Sequence, residues 1–343
     1  MNFQELINSF DKIIIQLTSI SEGTEGVLVF AVPERLFRSI FGNMVSKVSF
    51  LVDEAYLHVT NEFIAIRCID PSHVAMALCF FSSQSCEMNE LEIEGGYWNL
   101  TGDPFKIGIN IHDLIKLLKV LETNQDELIT VEVTPKLIKF GGFTLKARII
   151  QSYDEKEDNL LASFKETLLA KYTVHFNIGT DVLSKHVKRA EVVSDLAQFY
   201  TKDGYVYIKA EDESGDYDTD ICEAKGDGKG IFSLPFLKNI VTLPALASKT
   251  KKSKEHPLEI SLGDDVPVMI LDKIDDFSYN EWLLAPRVED TGEETEEEQE
   301  EETEVEQEKT EGENSEEEQE SEEEEEQESE EEEEQESEEE LEK

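Results

Sequence analysis

Three short stretches of the chain carry cations spaced to act together on a polyanion. Arg35 and Arg38, Lys116 and Lys119, and Lys185 with Lys188 and Arg189 stand three or four residues apart, so each set shares one side of a helix. Cations presented in this way neutralise phosphates without reading base edges, which gives sequence-independent and salt-sensitive binding. Any one pair is equally an ordinary solvated helix face; repetition on three helices favours a shared role. Lys249, Lys251, Lys252 and Lys254 in "ASKTKKSKEH" read as a loop, which supports binding less than an ordered stripe does.

Catalytic chemistry has little to stand on. "AKGDGKGIF" is rich in glycine and lysine but lacks the G-x-x-x-x-G-K-[ST] spacing of a phosphate cradle, and it reads as a strand turn. Neither H-E-x-x-H nor G-x-S-x-G occurs, and the histidines form no ligand-spaced pair with a cysteine. No catalytic residue, metal site or cofactor is expected. Cys68, Cys79, Cys86 and Cys222 show no C-x-x-C pairing, which fits reduced, mostly core thiols in a cytosolic protein.

The elements that would position the cations recur in a fixed order. "GVLVFAVP" alternates as a strand, and "ERLFRSIFGNMVSKV" places Leu36, Phe37, Ile40, Phe41, Met44, Val45 and Val48 at helical spacing. "SFLVDEA", "YLHVTNE" and "FIAIRCID" follow as short strand-like runs, completing a β-α-β-β-β unit. A second pass runs through "FKIGINI", "HDLIKLLKVLET", "ELITVEVTPKLIKFGG" and "FTLKARIIQ". The third runs through "KYTVHFNIG", "TDVLSKHVKRAEVV", "AQFYTKDGYVYIKAED" and "YDTDICEAK". "GIFSLP", "FLKNIVTL", "HPLEISLGDDVPVMILDKI" and "NEWLLAPRVE" make the fourth. The fold class is therefore α+β, with two similar domains of two passes each, residues 26–151 and 171–289.

Residues 152–170 read as the connector, with Leu160, Leu161, Phe164, Leu168 and Leu169 at helical spacing. Residues 1–25 read as an amphipathic extension that puts Phe3, Leu6, Ile7, Phe10, Ile14 and Leu17 on one face, either to pack on the body or to recruit a partner. Of the chain's formal charge of -48, residues 290–343 contribute -32, through 34 acids and 2 lysines. Such a stretch has almost no apolar surface to offset ordering and is expected to be a disordered tail. The N-terminus carries no basic and apolar signal pattern, and no apolar run approaches the roughly 20 residues of a membrane span, so a soluble, cytoplasmic protein with no membrane partner is expected.

Several separated motifs resemble one family, the sliding clamps of the proliferating cell nuclear antigen type, archaeal members above all. "LVDEAYLHVTNEFIAIRCIDPSHVAMALCFF" resembles the family's first-domain strands leading through Asp-Pro-Ser-x-Val. "FSLPFLKNIV" is similar to its last inner helix, and "HPLEISLGDDVPVMIL" with "WLLAPRVED" to its closing strands. The resemblance covers Gly26 to about Glu289. It implies the DNA clamp fold, a pseudo-sixfold ring of three self or sister subunits, and helices lining a hole around double-stranded DNA. Lys238 of the last inner helix then joins the lining.

The same resemblance gives the turn Asp70-Pro71-Ser72-His73 a use, although taken by itself His73 reads as a turn residue bonded to local backbone. It implies a groove where DNA polymerase, clamp loader, nuclease and ligase insert short peptides. That groove would be formed by Ile69, His73, Val74, Pro267, Leu283, Ala285, Pro286 and Arg287, with Phe164 and Leu168 as its outer wall. Nucleoid association in the cytoplasm follows from the same likeness. Subunit contacts should come from edge strands, with Lys136–Gly141 and Tyr217–Glu223 as candidates. A rival reading, an acidic interaction protein or chaperone for basic nucleic-acid-associated partners, explains the tail but leaves the fourfold body without a purpose.

Overall fold

A computed structural model of the chain describes residues 25–87, 97–121, 127–150, 168–242, 257–275 and 277–287. The N-terminal amphipathic stretch, most of the connector with Phe164, the lysine-rich loop and the acidic tail lie outside them. All described residues belong to one compact unit, Met1–Val288.

The first pass consists of β1 (Gly26–Pro33), a helix α1, β2 (Glu54–Val59), β3 (Phe63–Ile69) and β4 (Ala75–Ser82). Helix α1 runs through Glu34–Leu36, a π-helical turn Phe37–Phe41, and Gly42–Val48. The wider turn brings Phe37 and Phe41 into a stack with centroids 4.9 Å apart, with Phe30, Phe81 and Phe140 around them. After β5 (Tyr97–Gly102), the second pass is β6 (Phe105–Asn110), α2 (Ile111–Leu118), β7 (Leu128–Thr134), β8 (Leu137–Phe140) and β9 (Phe143–Lys146). The third is β10 (Val174–Gly179), α3 (Thr180–Ala190), β11 (Leu196–Lys202), β12 (Tyr205–Asp212) and β13 (Gly215–Glu223). The fourth is β14 (Lys229–Ser233), α4 (Leu234–Val241), β15 (Pro257–Leu262), β16 (Val268–Lys273) and β17 (Tyr279–Leu284).

The strands form three antiparallel sheets with the orders β5-β1-β7-β8-β9, β10-β15-β16-β17-β4-β3-β2-β6 and β13-β12-β11-β14. The eight-stranded sheet joins the two halves of the chain where β17 pairs with β4, from Tyr279↔Phe80 to Leu284↔Ala75. One continuous core contains the apolar sides of all three sheets and of the four helices. Asn110 starts α2 by accepting the amide of Asp113 at 2.9 Å, and Pro235 supplies the fixed φ that suits the first turn of α4.

The edge strands correct one expectation. Lys136–Gly141 contains β8, which pairs with β7 on one side and β9 on the other and is therefore interior. Gly141 and Gly142 take φ of 52° and 80°, the left-handed values of a two-residue hairpin, and turn the chain back to make β9 the edge. Tyr217–Glu223 lies in β13, which is an edge of its sheet. The cysteines are free thiols; Cys68, Cys79 and Cys86 are buried, and burial pushes the Cys68 thiol up to about 12.

Candidate nucleic-acid interface and peptide groove

The four helices form a continuous row. Helix α2 packs on α1, and α3 on α4. The two pairs meet where Lys47 of α1 donates to the Ile240 and Thr242 carbonyls at the end of α4, and where Phe50 and Phe236 approach edge to face. Each helix turns its apolar side to the core: Met44, Val45 and Val48; Ile111, Leu114 and Leu118; Leu183, Val187 and Ala190; Leu234, Leu237 and Ile240. Lys116, Lys119, Lys185, Lys188 and Arg189 are exposed on the side away from it. Lys47, Lys116, Lys188, Arg189 and Lys238 also sit in last helical turns, where a cation complements the helix dipole.

The structure separates these cations by employment. Lys119, Lys185, Lys188 and Arg189 are exposed. Lys116 pairs with Asp113 at 3.0 Å, and this neighbour holds the Asp113 carboxyl below its usual range. Lys238 pairs with Glu191 at 2.7 Å. Arg35 and Arg38 are half-buried, and Arg38 Nη1 donates to the Leu121 carbonyl at 2.8 Å, which ties α1 to the chain just after α2. Arg38 thus serves the fold at least as directly as any surface. His186, beside Lys185 and Arg189, bonds Tyr217 of β13 at 2.7 Å; burial first, then those two cations, lower its pKa and favour the neutral ring.

On the other side of the eight-stranded sheet, an apolar cluster gathers Met76, Leu168, Tyr172, Val266, Met269 and Leu283, with Ile69 and Leu169 against it. Met76 stands opposite both Ile69 and Leu283 in the strand register, so three adjacent strands present one row. Tyr172 donates its hydroxyl to the Pro267 carbonyl at 2.9 Å, and the Ala285 amide bonds Val74 at 2.8 Å. Arg287 is anchored by its amide to Ile231 at 2.7 Å while its side chain stays exposed.

The turn beside this cluster is built by Asp70. Its carboxylate accepts the amides of Ser72 and Ala75, and its carbonyl accepts that of His73. His73 is exposed with φ of 56°, a left-handed conformation uncommon outside glycine. Of the residues the sequence points to, Ile69 and Leu283 meet in this cluster and Pro267 is tied to it through Tyr172; Val74, bonded to Ala285 through the backbone, packs against the main core, and His73, Pro286 and Arg287 follow on the turn and after β17. Leu168 is only 2% exposed and packs within the cluster. Sequence reasoning passed over Met76, Tyr172, Val266 and Met269. The alternation of β4 and β16 was the signal that Met76 and Met269 share the face of Leu283.

Comparison with known proteins bears on both surfaces. No protein-family model matches the chain. It is 27% identical over 263 residues to the DNA polymerase sliding clamp of Methanocella arvoryzae, a match that takes in 73% of this chain and 96% of that protein. The solved structure of the C-terminal region of FEN-1 bound to A. fulgidus PCNA superimposes with a TM-score of 0.56 at 18% identity, covering 76% of this chain and 99% of that one. The fold is that of a sliding clamp. The PCNA2-PCNA3 complex from Sulfolobus tokodaii gives the same score and identity, over 76% of this chain and all of the clamp chain compared. The share of the chain covered is close to that of the four β-α-β-β-β passes, and each clamp counterpart is matched almost end to end.

Proposed function

We propose that the protein is a sliding clamp: it encircles duplex DNA without sequence preference and tethers DNA polymerase, clamp loader, nuclease and ligase as a processivity factor. It is a scaffold and not a catalyst. The observation that carries this reading is the unbroken row of four helices, apolar toward the sheets and cationic away from them, on a clamp fold. Such a row, continued over three self or sister subunits, lines a closed hole. Topology then retains the DNA, and contacts to phosphate need only be weak enough to allow sliding. The division into domains 26–151 and 171–289 rests on the fourfold repeat, two passes to each.

Ring closure would use strand edges, and β9 and β13 are two of the edge strands of the described sheets, one from each half of the chain. The cluster around Met76 and Leu283, bordered by the His73 turn, suits a short peptide with aromatic anchors, whose burial in a desolvated apolar pocket would dominate affinity. Similar proteins support the same assignment: one is a DNA polymerase sliding clamp, and one solved clamp holds the C-terminal region of FEN-1. The test is synthesis on primed circular DNA. With a clamp loader present, the protein should lengthen the products made per polymerase binding event, and product lengths unaffected by its addition would refute the assignment.

A further inference from the structure

The eight-stranded sheet is buried on both faces. Its inner face carries Ala55, Leu57, Val59, Ile64, Ile66, Ala77, Cys79, Phe81, Trp282 and Leu284 against the helices. The alternate positions point the other way, and there Phe63, Ala65, Leu78, Phe80, Leu271 and Tyr279 form a separate cluster in which every member is less than 9% exposed. His58, Arg67, Lys106 and Glu281 share that face and are equally withdrawn from solvent. All six cluster members come from β3, β4, β16 and β17, and no residue of another described element belongs to it. A sheet face cannot desolvate itself; a second layer has to lie on it.

We propose that this layer is the chain's own N-terminal segment, with Phe3, Leu6, Ile7, Phe10, Ile14 and Leu17 of an amphipathic helix packed on the outer face of the eight-stranded sheet. The point of entry fits. Residue 25 leads into β1 beside the start of β6: the Gly26 Cα sits where a Cβ would lie 2.5 Å from the Phe105 ring and 2.9 Å from the Asp103 carbonyl. Phe105 precedes Lys106, which begins the row Lys106, His58, Ala65, Phe80, Tyr279 across five strands. Phe105 itself faces the main core, so the described chain begins at the β6 edge of the sheet, and the segment reaches the outer face by turning around that edge.

Length and chemistry agree. Four strand spacings separate β6 from β17, about 19 Å at the usual strand separation. A helix from Phe3 to Leu17 extends about 22 Å. The remaining seven residues before Glu25 reach up to roughly 23 Å when extended, ample for the turn onto the sheet. Its apolar side supplies aromatic and aliphatic groups to a face that ends in Phe63, Phe80 and Tyr279. Residues 290–343 have no such side to offer, since Val305 and Leu341 are their only large apolar side chains. The connector's described ends border the same face, Arg148 bonding Gly108 of β6 at 2.8 Å and Leu168 joining the Met76 cluster one row on from Leu78.

Hydrogen exchange on the intact chain tests this, with a chain starting at residue 21 as the second arm. Amides of residues 6–17 should exchange at least about a hundredfold more slowly than an unstructured peptide, as for a packed helix. The shortened chain should bind a hydrophobic dye with several-fold greater fluorescence than the intact one, and adding a peptide of residues 1–20 should reverse that gain. Exchange of residues 6–17 at the unprotected rate would overturn the proposal. So would a folded shortened chain whose dye binding matches the intact protein. Should the shortened chain fail to fold, exchange on the intact chain decides alone.

Discussion

Lys47 Nζ donates to the Thr242 carbonyl at 2.8 Å, so a side chain from the first half of the protein caps the last helix of the second. The same ammonium reaches the Ile240 carbonyl and lies 5.3 Å from the centre of the Trp282 ring. Lys47 is only 3% exposed, and burial lowers its pKa despite the nearby Asp272. The helix row is continuous because of this contact. Replacing Lys47 with Met keeps the stem's packing and removes the donor that the Ile240 and Thr242 carbonyls share. The expected loss is about 1 to 3 kcal/mol, read as a shift in urea midpoint at unchanged slope.

His58 makes stability depend on acid. Its ring is buried, with Arg67 and Lys106 adding repulsion, and its pKa falls from 6.5 to about 3. The unfolded chain therefore takes up a proton below pH 6.5 that the folded chain refuses until about pH 3, so stability falls with pH across that window. At roughly pH 4.5 the cost relative to neutral pH is on the order of 2 to 3 kcal/mol. The variant His58→Gln should lose that much less than the wild type between neutral pH and pH 4.5. Urea titrations of both chains at the two pH values check it, and equal losses would contradict it.

At the groove, His73→Ala combined with Leu283→Ala should weaken binding of a peptide with aromatic anchors by about tenfold or more, since anchors in such pockets each exceed about 1 kcal/mol. Leu283→Ala also removes a buried side chain from the Met76 cluster and should cost about 2 to 5 kcal/mol of stability. Mass in solution should stay unchanged, because neither residue lies on β9 or β13. Calorimetry with the peptide and light scattering read the two effects. Unaltered affinity would remove the groove assignment.

The cations should divide as their contacts do. Lys119→Ala with Lys188→Ala should leave stability within about 0.5 kcal/mol. The pair should lower the slope of log affinity against log salt by roughly 1 per cation that meets a phosphate. Arg38→Ala should instead lower stability by about 1 to 2 kcal/mol through loss of the bond to the Leu121 carbonyl. Salt titration of DNA binding and urea denaturation distinguish the two classes.

Much of this architecture was legible from residue order. The four helical stretches, the strands after each, and the turn Asp70–His73 are local patterns, and local patterns survive in sequence. "YWNLTG" was not recognised as β5 because its alternation is brief and half its residues are polar. The edge falls one strand later than the sequence suggests, because the chain turns back through the Gly141-Gly142 hairpin to lay β9 beside β8. Burial on the second face of the eight-stranded sheet appears in "FIAIRCI", apolar but for Arg67, and in "AMALCFF" as near-continuous apolar runs, which signal a covered strand without saying what covers it. The roles of Arg38 and Lys47 depend on carbonyls 83 and 195 positions away and had no local signature.

Retention on closed against open DNA tests the central claim most directly. Once loaded, the protein should remain on circular duplex, or on linear duplex blocked at both ends, through a high-salt wash, and should be lost from linear duplex with free ends. Equal retention on open and closed templates would mean that contact and not encirclement holds the DNA, and would contradict the account.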